Sequence, residues 1–153
     1  MSLSRLCVCG IAVRTARRGA MKEMEEAEVR ADFGLVDDVP RKSVERGMTF
    51  LLREQWDEVV SELGDEMPWH TRRANILLEG AESLIPLVGK IIRVGGDVEV
   101  KILDETRPCG LMEYLRPGLE EVLRKNGRGG VLGRVLTGGV IRIGDAVIVS
   151  DEV

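Results

Sequence analysis

Glycine residues divide this chain into short runs rich in valine and isoleucine, and this pattern limits the fold more than any other feature. The 153 residues include 18 glycines. Residues 91–100 and 140–149 each place two apolar runs on either side of a turn that contains glycine. Glycine accepts the positive φ angles that tight hairpins need. We therefore expect a mainly β fold in which residues 85–105 and 129–150 form paired antiparallel strands.

Two segments carry helical periodicity instead. Apolar residues from Trp56 to Leu63 recur at i, i+3, i+4 and i+7, which predicts a helix over residues 54–63 that stops at Gly64. On this stripe Trp56 is expected to be a core anchor. A shorter stripe predicts a second helix over residues 118–125. The glycine pattern alone allows either a barrel or a sandwich, since both architectures protect strand edges.

Composition excludes several classes of function. The length and the apolar content of 44% suit one compact domain over residues 1–153. The net charge is -4 and aromatic residues make up only 3% of the chain, so nucleic acid is not an expected partner. No run approaches the roughly 20 apolar residues that cross a bilayer. The 3 cysteines do not form a disulfide framework and suit a reducing, cytoplasmic location.

One cysteine occupies a position that suits chemistry. The segment Thr106-Arg107-Pro108-Cys109 lies between a strand-like run and the start of a helical pattern. Unpaired N–H groups at a helix start and the guanidinium of Arg107 both favour the thiolate form of Cys109. The thiolate attacks sulfur or binds a soft metal. Taken alone, a buried and inert cysteine is the alternative interpretation.

The cysteine segment is one of six short motifs that occur in a fixed order. They occupy residues 46–56, 72–80, 89–95, 106–109, 129–136 and 138–145. In this order and spacing the series resembles the MOSC domain, named for the C-terminal part of the molybdenum cofactor sulfurases. The resemblance is clearest over residues 30–150. It implies a β-barrel of the MOSC or pyruvate-kinase type, with a few short helices and the arginine-bearing segments gathered at the end that holds Cys109.

The resemblance also implies the site residues. Cys109 is the catalytic thiol or a molybdenum ligand, and the other members of the set are expected to bind a pterin cofactor that carries a phosphate. These cofactor-binding candidates are Arg73, Asn75, Arg107, Arg134 and Asp38. Arg73 and Asn75 match the family's Arg-x-Asn element, and we expect the amide of Asn75 to pair with a pterin edge. We expect Arg73, Asn75 and Arg134 to converge on the Cys109 end of the molecule.

The resemblance leaves several functions open. In the first, Cys109 carries sulfur as a persulfide or binds molybdenum, with a pyridoxal-phosphate cysteine desulfurase or a molybdoenzyme as partner. In the second, the protein is a small reductase of N-hydroxylated compounds that depends on the molybdenum cofactor. In the third, it is a non-catalytic barrel that has lost the cofactor. Asp37 replaces a glycine of the family motif, and its bulk and negative charge near an anionic ligand favour this third interpretation.

The remaining cysteines and the single histidine have simpler interpretations. Cys7 and Cys9 alternate on a predicted strand, which places both sulfurs on one face. A tetrahedral zinc site needs four ligands, and only Cys109 and His70 remain as further candidates. We therefore interpret Cys7 and Cys9 as small residues of a buried strand, and His70 as a loop or packing residue.

Overall fold

The structure is a computed structural model that describes residues 6–150. It is mainly β, with three short α-helices and a few single turns of 3-10 helix. The strands are β1 (Cys7–Arg14), β2 (Met21–Glu23), β3 (Glu26–Arg30), β4 (Gly34–Leu35), β5 (Met48–Leu52), β6 (Ile76–Glu79), β7 (Ile91–Val94), β8 (Val98–Glu105), β9 (Val131–Thr137), β10 (Gly139–Arg142) and β11 (Val147–Ser150). The helices are α1 (Arg53–Leu63), α2 (Gly110–Leu115) and α3 (Leu119–Arg124).

Eight strands form one sheet in the order β11-β7-β8-β9-β5-β6-β1-β2, and β10, β3 and β4 form a second. Neighbouring strands are antiparallel except for β5 and β6, which run parallel because α1 connects them as a crossover. The predicted antiparallel pairing is confirmed by the β7–β8 hairpin and by the β8–β9 ladder. The expected hairpin within residues 140–149 is wrong. Its two strands pair elsewhere, β10 with β3 and β11 with β7.

The predicted closed barrel is not confirmed. The strand order of the large sheet is open, with β11 and β2 as its end strands. Residues 6–8 share three backbone hydrogen bonds with residues 144–147, at the start of β11, but only Cys7 and Ala146 form a bridge and no ladder continues from it. Both end strands are short, with three residues in β2 and four in β11. Short edge strands protect an open sheet from further pairing.

Two apolar clusters lie on opposite sides of the central strands. The larger one fills the inner face of the sheets and includes Phe50, Leu52 and Ile76, each at most 1% exposed. The smaller one packs the helices against the other face, with Leu51 and Trp56 among its members. Trp56 is the predicted core anchor, and its indole nitrogen donates to the carbonyl of Met67 at 3.1 Å.

Helix α1 ends as the sequence predicts. Gly64 adopts φ 65°, a left-handed conformation that glycine accepts without strain, and its N–H donates to the carbonyl of Val60 at 2.9 Å. None of the helices within residues 6–150 has the length and apolar character needed to span a membrane. The fold places the end of β8, the start of β9 and the chain between β5 and β6 at one edge of the large sheet, where the cysteine segment lies.

Candidate functional site

Cys109 lies at the predicted junction between a strand and a helix. Strand β8 ends at Glu105, and the loop then leads to Cys109, which is the N-terminal cap of α2 and has an exposed side chain. The N–H of Thr106 donates to the carbonyl of Gly130 at 2.8 Å, so the loop is held against the glycine turn before β9. Gly130 has φ 93°, and a Cβ at this position would overlap the carbonyl oxygen of Phe50. The glycine turn is therefore a condition for this loop geometry.

The thiol faces a cavity of about 180 Å³ that we call the thiol cavity. Five arginines line it together with Cys109, and no carboxylate does. These arginines are Arg14, Arg41, Arg46, Arg72 and Arg73. Guanidinium groups are the usual partners of phosphate and carboxylate, so the charge of the lining suits an anion.

Arg72 is the most deeply buried of these arginines. It is 7% exposed, its Nε donates to the carbonyl of Gly129 at 3.1 Å, and its Nη2 donates to the carbonyl of Thr106 at 3.0 Å. Burial lowers the pKa of Arg72 to about 10, and the negative charge of an ionised Cys109 opposes this shift. Arg72 has no ion-pair partner within residues 6–150. It therefore provides an uncompensated positive charge beside the thiol.

Arg73 reaches the same cavity from a left-handed backbone conformation with φ 65°. Its Nη1 donates to the carbonyl of Gly19 at 2.7 Å, whereas its buried Nη2 has no hydrogen-bond partner in the described part of the chain. Burial and the neighbouring guanidinium of Arg14 lower the pKa of Arg73. A non-glycine residue at positive φ is uncommon and often marks a functional site.

Asp38 and Asn75 form a buried layer behind the arginines. Asp38 is 7% exposed and pairs with Arg14 at 3.3 Å and with Arg41 at 3.5 Å. Asn75 is fully buried, and its Oδ1 accepts from Arg41 at 3.0 Å while its Nδ2 donates to Asp38 at 3.1 Å. Burial, together with the positive charge of Arg14, lowers the pKa of Arg41 to about 10, while Asp38 opposes the shift. This layer fixes the positions of two cavity arginines.

Arg107 and Arg134 are not part of the lining of the thiol cavity. Arg107 is exposed and pairs with Asp104 at 3.1 Å. Arg134 pairs with Asp32 at 2.8 Å. Of the three residues expected to converge, Arg73 lines the cavity with Cys109, Asn75 lies behind its wall, and Arg134 does not belong to its lining.

Nearness in sequence favoured Arg107, whereas the structure places Arg72 beside the thiol. Arg72 precedes the Arg-x-Asn element directly, so the doubled arginine in that motif was the available signal. Asp37, the departure from the family motif, is exposed and is not part of the lining described for the thiol cavity.

Two further cavities adjoin the thiol cavity, each of about 570 Å³. The first shares Arg14, Arg41 and Arg46 with it and adds Arg17 and Lys42. The second shares Arg73 and Leu111 and adds Arg18, Tyr114 and Leu115. We call the three together the basic cleft. Their linings contain eight cationic side chains and no carboxylate.

The other two cysteines lie outside the basic cleft. Burial, followed by the negative charge of Glu79, raises the pKa of Cys9 to about 12. The same causes raise the pKa of Cys7, whose Sγ lies 3.8 Å from a carboxylate oxygen of Glu79. His70 packs edge-on against Trp69 at 5.7 Å. No group of three or more His, Cys, Asp or Glu residues within residues 6–150 is arranged to hold a metal ion.

Comparison with known proteins identifies the family. The MOSC domain model matches residues 37–148. Among curated proteins, none matches this sequence. The crystal structure of the YuaD protein from Bacillus subtilis is similar at a TM-score of 0.80 and 16% identity, over 94% of this chain and 95% of that one.

YiiM proteins are also similar in structure. YiiM from Escherichia coli gives a TM-score of 0.73 at 15% identity, over 95% of this chain and 70% of that one. YiiM from Geobacillus stearothermophilus gives 0.72 at 16% identity, over 95% of this chain and 75% of that one. At such identities the structures show a shared fold. The family model covers most of the chain, and the protein therefore belongs to the MOSC domain family.

Proposed function

We propose that this protein acts in molybdenum cofactor binding or in sulfur transfer, with Cys109 as the reacting thiol. Membership of the MOSC family supports this class of function, because the family is associated with the molybdenum cofactor. The observation that carries the proposal is the position of Cys109, exposed in a cavity that five arginines and no carboxylate line. A working thiol needs access and positive charge nearby, and Cys109 has both.

The residues present fit a phosphate-bearing cofactor. Arg41 Nε, Arg73 Nη2 and Thr106 Oγ1 are buried atoms of the thiol cavity lining without hydrogen-bond partners in residues 6–150. Unsatisfied buried donors are costly, so an anion that accepts from them would stabilise the site. One thiol cannot hold a metal alone, but it suits a metal that arrives with a cofactor's own donors. When bound, such a cofactor would supply oxygen-atom transfer or reduction at the metal.

In this proposal the residues of the thiol cavity have separate roles. Arg72 provides a buried guanidinium, without an ion-pair partner within residues 6–150, in the cavity wall that Cys109 shares. Arg41 and Arg73 bind the anionic group, and Asp38 and Asn75 hold Arg41 in place. Contacts of Asn75 with a pterin, and of Arg107 and Arg134 with the phosphate, remain predictions.

Sulfur transfer to Cys109 follows ordinary thiol exchange. The thiolate of Cys109 attacks the outer sulfur of a persulfide on a cysteine desulfurase, whose pyridoxal phosphate belongs to that partner. A new sulfur–sulfur bond forms at Cys109, the partner's sulfur–sulfur bond breaks, and the electron pair leaves with the partner's thiolate. The transfer needs no external oxidant or reductant. The exposure of Cys109 allows the close approach that this exchange requires.

A second candidate function is the reduction of N-hydroxylated compounds at a bound molybdenum cofactor. The cavity of about 570 Å³ that Arg73 and Leu111 share with the thiol cavity favours it, since this cavity provides space for a substrate beside the thiol. Tyr114 is 83% exposed and Leu115 is 44% exposed at its wall, so the space has an apolar side. A pure sulfur carrier does not need such a space.

The deciding experiment uses protein purified from a host that makes the molybdenum cofactor. Molybdenum is measured by elemental analysis, and sulfur adducts are located by mass spectrometry after incubation with a cysteine desulfurase and cysteine. Stoichiometric molybdenum supports the reductase, and an extra, reducible sulfur on Cys109 without metal supports the carrier. Cys109→Ser should abolish either signal, whereas the matched variant Cys9→Ser should retain it. Absence of both signals in the unmodified protein would refute the proposal.

Alkylation of the same purified protein measures the reactivity of the Cys109 thiol directly. Cys109 is exposed, while burial and Glu79 raise the pKa of Cys9 to about 12. Alkylation near neutral pH should therefore modify Cys109 before Cys7 or Cys9. Equal or slower modification of Cys109, located by peptide mass spectrometry, would count against a working thiol.

A further inference from the structure

A separate cavity of about 740 Å³, outside the basic cleft, has a lining of the opposite charge. It lies between the start of α1, the segment after β6, the end of β8 and the turn before β9. Glu54, Glu58, Glu82 and Glu105 line it, and no lysine or arginine does. We call it the acidic cavity. Its lining shares no residue with the thiol cavity.

Protein cations leave much of this negative charge unbalanced. Glu58 pairs with Arg128 at 3.2 Å, and Glu54 accepts only the backbone N–H of Gly80 at 2.8 Å among the described residues. The carboxylates of Glu82 and Glu105 have no ion-pair partner within residues 6–150. Carboxylates that share a cavity repel one another, so a bound cation would stabilise the arrangement.

A buried amide in the wall provides a second, independent indication of a ligand. Gln55 lines the cavity, is 2% exposed, and donates through Nε2 to the carbonyl of Asn126 at 2.8 Å. Its Oε1 accepts no hydrogen bond in the described part of the chain. A buried carbonyl oxygen without a donor costs free energy. The missing partner is a hydrogen-bond donor, which matches the charge preference of the surrounding glutamates.

The dimensions distinguish an organic cation from a metal ion. No three of the carboxylates within residues 6–150 are arranged to hold a metal, and Ca²⁺ or Mg²⁺ needs oxygens at about 2.0–2.6 Å. The cavity is much larger than one ion, and the partly buried Ile85 adds apolar surface to its wall. An alkyl chain that bears ammonium groups has both the donors and the methylene groups to match these features.

We propose that the acidic cavity binds an aliphatic organic cation with two or more ammonium groups. The methylene chain packs against Ile85, the ammonium groups pair with Glu82 and Glu105, and one N–H donates to Gln55. A smaller cavity of about 360 Å³ continues along α1 and shares Glu54 and Glu58, but Arg128 also lines it and pairs with Glu58, so the ligand is expected to occupy the acidic cavity alone. This site is independent of the function proposed for Cys109.

Calorimetric titration with spermidine tests the proposal. The unmodified protein should show saturable binding that magnesium chloride does not displace at matched ionic strength. The double variant E82Q/E105Q should bind at least about 5-fold more weakly, a modest change because exposed ion pairs contribute little each. Gln55→Met, checked for folding by circular dichroism, should also weaken binding. Cys109→Ser should bind spermidine as the unmodified protein does.

The control is E25Q/E28Q, which removes the same charge from exposed positions outside the acidic cavity. It should leave the spermidine affinity unchanged. The proposal is overturned if spermidine does not saturate, if magnesium displaces it equally well, or if E25Q/E28Q weakens binding as much as E82Q/E105Q. The last two results would mean that the protein attracts cations through its net charge of -4 alone.

Discussion

Replacement of Asn75 by alanine tests whether this residue positions the arginines or acts as a ligand itself. Its side chain is fully buried and makes five hydrogen bonds within the protein. Oδ1 accepts from Arg41 and from two atoms of Thr49, at 3.0 to 3.3 Å. Nδ2 donates to the carbonyl of Ala12 at 3.3 Å and to Asp38 at 3.1 Å. Both ends of the amide are therefore engaged before any ligand binds.

The size of the effect follows from these partners. A neutral hydrogen bond contributes about 0.5–1.5 kcal/mol and one to a charged group about 1.5–3 kcal/mol. Asp38 keeps Arg14 and Arg41 as partners in the variant, and water entering the vacated space replaces part of the rest. We expect Asn75→Ala to lower the free energy of unfolding by roughly 3 kcal/mol. The released Arg41 should also bind anions less well.

Urea denaturation measures the free energy of unfolding. The affinity for phosphate measures whether the cavity arginines keep their positions. The control is Thr137→Val, which removes one exposed hydrogen bond to Glu99 at 2.8 Å and should cost less than about 1 kcal/mol. If Asn75→Ala is as mild as this control, the hydrogen-bond layer does not have the role assigned to it. If stability is kept but molybdenum cofactor binding is lost, Asn75 acts as a direct ligand, as the sequence motif predicts.

Three further predictions concern anion binding, pH and the glycine turn. Pyrophosphate should raise the melting temperature more than sodium chloride does at matched ionic strength. Arg46→Met should reduce that increase and Arg134→Met should not, because Arg46 lines the thiol cavity and Arg134 does not. Folding raises the pKa of Cys9 from 9.0 to about 12. The stability that the neutral thiol of Cys9 contributes is therefore complete below pH 9.0 and is lost as the pH rises toward 12. The free energy of unfolding in urea, relative to that of Cys9→Ala, should fall over this range. Gly130→Ala should lower the free energy of unfolding by about 3 kcal/mol or more, because its Cβ would overlap a backbone oxygen. Gly89→Ala, at φ 90° with open space around it, should lower it by only about 1–2 kcal/mol. Equal losses of stability would show that the overlap is not the cause.

Features set by neighbours in sequence were predictable from sequence. The β7–β8 hairpin and the end of α1 at Gly64 depend on glycine conformations that a few residues determine. The junction at Cys109 follows in the same way from a strand run, a proline and a helical pattern. The hairpin and the helix end are fixed by hydrogen bonds between residues close in sequence. The loop before Cys109 also depends on a distant contact, because the N–H of Thr106 donates to the carbonyl of Gly130.

Features set by distant partners were not predictable. Residues 140–149 contain a turn and two apolar runs, yet β10 pairs with β3 from the other end of the chain. A local pattern does not specify which distant strand offers a complementary edge. The position of Arg72 depends on similar long-range contacts, because the carbonyls of Thr106 and Gly129 hold its guanidinium in the cavity wall. Arg107 instead pairs with Asp104, three residues before it, and does not line the cavity.

The charge distribution of the cleft links ligand binding to stability. Six of its eight cations have no ion-pair partner within residues 6–150, and the other two, Arg14 and Arg41, share the single carboxylate of Asp38. The pKa values of Arg41 and Arg72 are lowered to about 10, which means that folding disfavours their charged forms and that this cost is present at every pH below 10. An anion offsets this cost only when it binds.

We expect the basic cleft to let an acidic protein bind an anionic ligand. Its net charge of -4 repels anions at long range, but charges separated by more than about 8 Å are largely screened at physiological ionic strength. The charged side chains that line the cleft are all cations, and the carboxylate of Asp38 lies behind them. Binding should therefore weaken steeply with salt, and neutralisation of the buried Arg72 should affect it more than neutralisation of the exposed Arg17, because burial reduces screening.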